Sequence, residues 1–254
     1  MDLQGKAAIV TGSGTGVGRS TALALAERGC DVVVNYSRSE SAAEQVAALA
    51  RDAGVKSMAI KADVSDDAQC RAMVAEAVDS FGRLDVLVNN AGTTSFIAHD
   101  NLEAMTAEAW DQILGVNLKG PFFMARAAEA ALKADGGGHV VNVSSVAGVY
   151  GTGSSIAYCA SKAGLNNLTV TLARVMGPEV QVNTVCPGFI DGEWLRGGMG
   201  DSFDAIKARV EGNALLKAVC TPDDVRDAIL AFVSGSKLAT AQIMVVDGGA
   251  AHRM

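Results

Sequence analysis

Short runs rich in valine and isoleucine alternate with helix-length segments along the whole chain, and this alternation limits the fold more than any other feature. Runs that are apolar at consecutive positions are typical of parallel strands covered on both faces. Parallel neighbours are joined by long, right-handed crossovers that usually contain a helix. We therefore predict an α/β protein whose doubly wound parallel sheet has about seven strands and helices on both faces.

The expected elements follow from this pattern. Strands are predicted at residues 7–11, 31–35, 57–61, 86–89, 139–144, 180–185 and 242–246. Helices are predicted at residues 18–28, 41–53, 66–81, 105–133, 156–176 and 222–234. No repeat, low-complexity tract or linker separates these segments, so we expect residues 1–254 to form one domain.

The charge and the apolar pattern of the chain restrict its partners and its location. The net charge of -7 comes without a concentrated basic patch, which argues against a nucleic-acid partner. No apolar run approaches the roughly 18 to 20 residues of a membrane span, and residues 1–6 lack the basic and apolar regions of a signal peptide. We therefore expect a cytoplasmic protein that binds neither nucleic acid nor membranes.

Cysteine and histidine usage predicts no metal site and no disulfide. The three histidines, His99, His139 and His252, lack the spacing of metal ligands. The five cysteines are scattered without a C-x-x-C pair, as is usual for reduced thiols.

A glycine-rich turn follows the first predicted strand directly, and residues 11–18 read TGSGTGVG. Gly12 lets the chain leave the strand sharply, and Gly16 lets the backbone approach a pyrophosphate. Gly18 lets the next helix pack tightly while its N-terminal amides face the anion. This turn predicts a dinucleotide site, whose residues are Gly12, Ser13, Gly14, Thr15, Gly16, Val17 and Gly18.

The end of the second predicted strand indicates which dinucleotide binds. An Asp or Glu about 20 residues beyond the turn would bind the adenosine ribose of NAD. This chain instead has Ser37 and Arg38, a hydroxyl and a guanidinium that suit a 2′-phosphate. NADP(H) is therefore predicted as the preferred cofactor and NAD(H) as the alternative, since Arg38 could also be a solvated residue with Glu40 as its counter-charge.

Tyr158 and Lys162 lie four residues apart in a segment predicted to be helical, thirteen residues after Ser145. This spacing puts the phenol and the ammonium on one face, about one helical turn apart. A cation at that position is expected to lower the phenol pKa from its usual value near 10. Tyr158 could then exchange a proton near neutral pH, which indicates a dehydrogenase.

Several motifs, taken in order, resemble those of the short-chain dehydrogenase/reductase family over nearly the whole chain. Residues 11–18 resemble its TGxxxGxG turn, residues 63–64 its adenine-pocket pair, residues 89–92 its NNAG segment and residues 187–188 its PG turn. The catalytic tetrad of the family is matched by Asn117, Ser145, Tyr158 and Lys162. The resemblance implies a Rossmann-type fold and hydride transfer between a nicotinamide and a carbonyl or secondary alcohol.

The resemblance also implies a role for each matched residue. Tyr158 would be the acid and base, and Ser145 would bind the substrate oxygen. Lys162 would hold the nicotinamide ribose, and Asn117 would hold a water that relays protons. Side-chain alternation is expected to aim Ser144 away from the site. The remaining implied cofactor contacts are Asp63, Val64, Asn90, Ala91, Gly92, Pro187, Gly188 and Ile190, together with Tyr158 and Lys162.

Substrate preference is expected to depend on three loops, residues 93–100, 147–156 and 189–213, of which the last would form a lid. Their apolar side chains suggest an apolar or mixed small-molecule substrate; they are Phe96, Ile97, Val149, Tyr150, Ile156, Phe189, Trp194, Leu195, Met199 and Phe203. Trp194 and Phe203 could equally pack the lid onto the body, and residues 197–198 could be a hinge.

Within the family, residues 32–36, 186–191 and 246–249 most resemble 3-oxoacyl-carrier-protein reductases, which implies a thioester-linked substrate. Three departures leave a reductase of free ketones, sugars or steroids open. Gly192 replaces a frequent threonine, residues 128–135 are poor in basic side chains, and residues 240–242 lack the glycine usual before the last strand. A non-catalytic NADP sensor would not need all four tetrad residues. An epimerase or dehydratase would need a larger C-terminal domain.

The helices at 105–133 and 156–176 resemble the helices that form the dimer faces in this family, and they imply a homotetramer.

Overall fold

A computed structural model describes residues 1–252, and its central feature is one parallel sheet of seven strands in the order β3-β2-β1-β4-β5-β6-β7. The strands are β1 (Ala7–Val10), β2 (Asp31–Tyr36), β3 (Ser57–Lys61), β4 (Val86–Asn89), β5 (Gly138–Val143), β6 (Val180–Pro187) and β7 (Ile243–Val246). Every neighbouring pair is parallel. The predicted fold class is confirmed.

Helices connect the strands and cover both faces of the sheet. They are α1 (Gly16–Ala26), α2 (Glu40–Asp52), α3 (Asp67–Phe81), α4 (Ala107–Leu114), α5 (Gly120–Lys133), α6 (Ala147–Tyr150), α7 (Ile156–Met176), α8 (Glu193–Met199), α9 (Phe203–Asn213) and α10 (Pro222–Leu230). Within residues 1–252, none of these helices has both the length and the apolar character needed to cross a bilayer.

Two hydrophobic cores lie on opposite faces of the sheet because successive residues of a strand point in opposite directions. In β1, Val10 belongs to one core and Ile9 to the other, and both are fully buried. Helices α1, α2 and α10 cover the first core, while α3, α5 and α7 cover the second. Burial on both faces explains why the strands are apolar at consecutive positions.

The predicted helix at residues 105–133 is interrupted, so the prediction of one continuous helix is wrong. Helix α4 ends at Leu114, a π-helical turn spans Gly115–Lys119, and α5 begins at Gly120. Pro121 has no N–H to donate to a preceding turn. A side chain at Gly120 would place its Cβ 2.9 Å from Val64 Cγ2, so the helix runs close to the end of β3. The π-helical turn carries Asn117 toward the crevice.

The strand order reverses between β1 and β4, and this reversal opens a crevice at the carboxyl ends of these strands. The Thr11 amide donates to Val88 O at 3.0 Å, which joins the two strand ends. On the far side of β5, the Val146 amide donates to Pro187 O at 2.9 Å. The segments that follow β1, β4, β5 and β6 therefore meet at one edge, as predicted.

Candidate active site

The turn after β1 is a tight loop in which two glycines are required by close contacts. Gly12 has φ +60°, and a Cβ on it would lie 2.9 Å from Ala91 Cα. A Cβ on Gly18 would lie 2.5 Å from both Gly12 O and Asn90 Nδ2. Gly16 has φ +55°, but a Cβ there would meet no atom within 4 Å. The loop is therefore packed on its inner side and open at Gly16, where the pyrophosphate is predicted to lie.

Helix α1 begins at the open side of this loop with free backbone donors. Within residues 1–252, no side chain caps its N-terminus at Thr15, and its first turn has no acidic residue. The first amides of a helix have no partner within the helix and carry its positive dipole end. Thr15 and Gly16 are both exposed. These features fit an anionic pyrophosphate.

Side chains from β2 and β4 hold the loop in shape. Asn90 Nδ2 donates to Thr11 O at 2.9 Å and to Gly12 O at 3.0 Å. Asn35 Oδ1 accepts from the Gly12 amide at 3.0 Å. The backbone N–H of Asn35 in turn donates to Ser13 Oγ at 3.1 Å. The residues that fix the turn thus come from three neighbouring strand ends.

Asn35 is a site residue that the sequence analysis missed. Its side chain is 1% exposed, and its Nδ2 donates to Ile60 O at 3.3 Å and to Ala62 O at 3.1 Å. It therefore connects the glycine turn to β3 as well as β2. The sequence signal for this role is the side-chain amide of Asn35 within the otherwise apolar run VVVNY at residues 32–36. A polar side chain in a buried strand needs specific hydrogen-bond partners, and here the glycine turn supplies one of them.

The two residues predicted to select the cofactor lie in the loop between β2 and α2. Ser37 and Arg38 are exposed, and Arg38 lines an open groove with Ser41 and Gln45. Burial and hydrogen bonding to Glu40 raise the pKa of Tyr36, so this carboxylate is engaged by a phenol. In the described part of the chain, no ion pair joins Arg38 to Glu40.

Asp63 and Val64 follow β3 at the same edge of the sheet. Asp63 Oδ1 accepts from the Ser65 amide at 2.9 Å and from Ser65 Oγ at 2.7 Å. Val64 is 5% exposed and lies against Gly120. The pair therefore forms a fixed turn whose aspartate is exposed and whose valine is buried.

Helix α7 brings Tyr158 and Lys162 together beside Ser145. Lys162 Nζ lies 5.7 Å from the centroid of the Tyr158 ring. The Ser145 side chain forms a hydrogen bond with Tyr158. Lys162 is 4% exposed, and its Nζ donates to Val143 O at 2.8 Å, which ties the ammonium to the end of β5.

Loss of hydration, rather than the lysine charge, sets the proton affinity of this cluster. It raises the pKa of Tyr158 to about 12, although the hydrogen bond with Ser145 opposes the rise. It also lowers the pKa of Lys162 to about 8. The predicted net fall of the phenol pKa is therefore wrong for the protein's own residues, because burial outweighs the effects that favour the phenolate. Tyr158 is partly exposed at the crevice and is a neutral phenol near pH 7, so it carries a proton that it can donate.

Asn117 lies in the π-helical turn, and both polar atoms of its amide are bonded within the protein. Oδ1 accepts from the Thr93 amide at 2.8 Å, and Nδ2 donates to Thr93 O at 2.9 Å and Ser161 Oγ at 3.1 Å. A Cβ on Gly92 would lie 3.5 Å from Asn117 Oδ1 and 3.7 Å from Lys162 Nζ. Asn117 thus joins the loop after β4 to α7, and its role with a water stays a prediction.

The two serines at the end of β5 have different surroundings, as predicted. Ser144 is 4% exposed, and its Oγ donates to Lys162 O at 3.1 Å. Ser145 Oγ accepts from the Ala147 amide at 3.1 Å and faces Tyr158. Ser145 is therefore the serine that can reach a substrate oxygen.

The turn after β6 closes the far side of the crevice. Pro187 is the last residue of β6, and the Gly188 amide donates to Val246 O at 2.8 Å. A Cβ on Gly188 would lie 2.7 Å from Asp247 Cβ, which explains glycine at this position. Ile190 forms an isolated parallel bridge with Cys220. These contacts hold residues 187–190 against the end of β7 and Cys220.

The three loops predicted to line the substrate pocket meet beside Tyr158. The Ile97 amide donates to Ser154 O at 2.9 Å, and Thr94 Oγ1 lies 2.6 Å from Ser154 Oγ. Helix α8 joins them through Trp194, whose ring centroid lies 6.1 Å from Phe96 and 6.5 Å from Tyr158. The aromatic side chains thus form one wall of the crevice.

Trp194 and Phe203, which the sequence could not separate, have different environments. Phe203 is 1% exposed and packs on Phe189 with ring centroids 5.2 Å apart, so it anchors α9 to the body. Burying a phenylalanine side chain contributes about 2 kcal/mol to the free energy of folding. An exposed ion pair on the surface contributes less than about 1 kcal/mol. Trp194 is 52% exposed at the crevice. Residues 197–198 lie within α8, and a hinge at these two glycines stays a prediction.

Comparison with known proteins identifies the family. A family model described as Enoyl-(Acyl carrier protein) reductase matches residues 12–251. A solved structure described as a "putative short-chain dehydrogenase/reductase" from Burkholderia xenovorans is 35% identical, covers 97% of this chain and 98% of its own, and superposes with a TM-score of 0.90. This chain belongs to the short-chain dehydrogenase/reductase family.

Two curated relatives of this dehydrogenase/reductase match it over nearly their full length. The "Granaticin polyketide synthase putative ketoacyl reductase 2" of Streptomyces violaceoruber is 44% identical and covers 96% of this chain and 95% of itself. The 3-oxoacyl-(acyl-carrier-protein) reductase FabG of Staphylococcus aureus is 38% identical, with 96% and 97% covered. The protein is therefore an oxidoreductase that uses a nicotinamide cofactor and acts on CH–OH and carbonyl groups.

Proposed function

We propose that this short-chain dehydrogenase/reductase uses NADPH to reduce the 3-oxo group of acyl thioesters to a hydroxyl. The proposal depends above all on the cluster of Ser145, Tyr158 and Lys162, which lies in one crevice with the glycine turn. With its pKa raised to about 12, Tyr158 is a neutral phenol near pH 7 and holds the proton that reduction of a carbonyl requires. The names of the two curated relatives support ketoacyl thioesters as the substrate class.

The cofactor contacts that we propose follow the edge of the sheet. The pyrophosphate would lie at residues 12–18, and the 2′-phosphate at Ser37 and Arg38. The adenine would lie by Asp63 and Val64, the loop of Asn90, Ala91 and Gly92 would lie under the nicotinamide ribose, and Pro187, Gly188 and Ile190 would border the nicotinamide. When bound, the cofactor supplies a hydride to the carbonyl carbon.

The side chains of the crevice would bind and protonate the carbonyl oxygen of the substrate. Ser145 and Tyr158 would donate hydrogen bonds to the carbonyl oxygen, where negative charge develops. Tyr158 would then transfer its proton to that oxygen. The ammonium of Lys162, 5.7 Å from the phenol ring, would stabilise the resulting phenolate. Because the pKa of Lys162 is about 8, it stays protonated at neutral pH.

The first test is turnover, followed through the absorbance of the reduced nicotinamide. NADPH and NADH are each offered with an acetoacetyl thioester, a simple diketone and a panel of sugars. We expect NADPH-dependent reduction of the thioester. Turnover of free ketones or sugars alone would instead identify a general carbonyl reductase. Cofactor binding without any turnover would favour a non-catalytic sensor.

Replacing Arg38 with aspartate tests the cofactor preference. We expect Arg38→Asp to weaken NADPH binding by roughly 10- to 100-fold and NADH binding much less, because charge-assisted hydrogen bonds to a phosphate contribute about 1.5–3 kcal/mol. Arg38→Lys keeps the charge without the planar fork and should lose less. Dissociation constants from cofactor fluorescence measure this effect. Equal losses for both cofactors would show that Arg38 is only a surface residue.

We also propose a homotetramer and a substrate lid formed by residues 189–213. Apolar side chains are exposed on α5, α7 and β7, namely Phe122 (38%), Val175 (62%), Ile243 (43%) and Met244 (37%). Within residues 1–252, β7 pairs only with β6, so its outer edge can accept a second copy. Sedimentation equilibrium should give four chains, and a stable active monomer would refute this. The cytoplasmic location stays a prediction.

A further inference from the structure

Two large aromatic side chains border the catalytic phenol and remain exposed to the crevice. Trp194 is 52% exposed and Phe96 is 40% exposed. The Trp194 ring is tilted by 42° to Tyr158 and by 53° to Phe96, at centroid distances of 6.5 and 6.1 Å. These distances are within the range of favourable aromatic pairs. The indole therefore lies beside both the Phe96 ring and the catalytic phenol.

The helix that carries Trp194 is tied to α9 by charged side chains. Asp191, just before α8, accepts from Lys207 Nζ on α9 at 2.6 Å. Arg196 pairs with Asp204 at 3.1 Å and stacks over the buried Phe203 ring at 4.0 Å from its centroid. Trp194 is thus held in a defined place rather than on a free loop.

A close contact also fixes Phe96 against the same helix. A Cβ on Gly198 would collide with the Phe96 ring where it now lies, so the ring is in close contact with the α8 backbone. Phe96 in turn follows Asn90 in the loop after β4, which the Ile97 amide ties to Ser154 O at 2.9 Å. The two aromatic rings therefore lie in contact with neighbouring segments beside Tyr158.

We infer that Trp194 and Phe96 form a platform that stacks against the group attached to the oxo carbon, and that the enzyme prefers 3-oxoacyl thioesters in which that group is aromatic. This inference rests on the proposed function. Once Ser145 and Tyr158 hold the carbonyl oxygen, one substituent of that carbon must extend along the Trp194 side of the crevice. A flat aromatic group gains a stacking partner there, which a saturated group of the same size does not.

The test compares two thioesters of equal size, the N-acetylcysteamine esters of 3-oxo-3-phenylpropanoate and 3-oxo-3-cyclohexylpropanoate. In the wild type, kcat/KM for the phenyl ester should exceed that for the cyclohexyl ester by about 5- to 10-fold. Trp194→Leu should remove this preference by slowing the phenyl ester, whereas Trp194→Phe should retain most of it. Trp110→Phe changes the other tryptophan, on α4, and should leave both rates unchanged.

Binding gives a second readout, because the Trp110→Phe variant leaves Trp194 as the remaining tryptophan of the two. Binding of the phenyl-substituted 3-hydroxyacyl thioester should change the fluorescence of Trp194 more than binding of the cyclohexyl-substituted 3-hydroxyacyl thioester does. Equal rates for the two esters, or equal losses for both in Trp194→Leu, would overturn the inference while leaving the proposed function intact. Failure of the wild type to reduce either ester or the acetoacetyl thioester would instead refute the proposed function.

Discussion

Replacing Tyr158 with phenylalanine is expected to reduce turnover by at least about 1,000-fold while NADPH binding stays close to that of the wild type. The change deletes one hydroxyl and keeps the ring that packs beside Trp194 and Lys162. General acid catalysis contributes roughly 10²- to 10⁴-fold, and the lost hydrogen bond to the developing oxyanion adds to this.

Steady-state rates with the acetoacetyl thioester and a fluorescence titration with NADPH measure the two halves of this prediction. Thermal unfolding serves as the control for the fold, and the melting temperature should change by only a few degrees because no cavity forms. Ser145→Ala should also retain cofactor binding while losing activity. Wild-type-like turnover in Tyr158→Phe would refute the assignment of Tyr158 as the proton donor.

Replacing Gly18 with alanine is expected to weaken dinucleotide binding by roughly 10- to 100-fold. Its Cβ would lie 2.5 Å from Gly12 O and 2.7 Å from Ser13 Cα, and neither backbone atom can move without displacing the turn. Such overpacking typically costs about 1–3 kcal/mol, and here the displaced atoms include the amides that are expected to face the pyrophosphate.

A matched control for this change is Gly212→Ala in α9. A Cβ at Gly212 would meet no atom within 4 Å, so alanine should stabilise the helix by up to about 1 kcal/mol and leave cofactor binding unchanged. Isothermal titration with NADPH measures both variants. If Gly18→Ala binds NADPH as tightly as the wild type, the turn after β1 does not hold the pyrophosphate.

The sheet could be predicted because its cause is local in the sequence. Strands such as β2 are apolar at consecutive positions, and a short stretch with that pattern is stable only when both faces are covered. The Tyr158–Lys162 pair could be predicted for a similar reason, since helical geometry alone places residues four apart on one face. The glycines at 12 and 18 were recognisable because close backbone contacts exclude every other residue type.

Proton affinities could not be predicted with the same success. The sequence shows that Lys162 is near Tyr158, but it does not show how much water reaches either group. Surrounding segments remove that water, so the pKa of the phenol rises instead of falling. The lysine charge is also directed to Val143 O, a partner contributed by β5.

Spacing along the chain thus specified the order of strands and helices, the glycine turn and the shared helix face of Tyr158 and Lys162. Folding alone specified that Asn35 braces the turn, that Asn117 lies in a π-helical turn, and that Phe203 is buried while Trp194 faces the crevice. The physical reason is the range of the interactions. Periodicity and backbone sterics act between near neighbours in sequence, whereas hydration and side-chain partners depend on segments that are distant in sequence and adjacent in space.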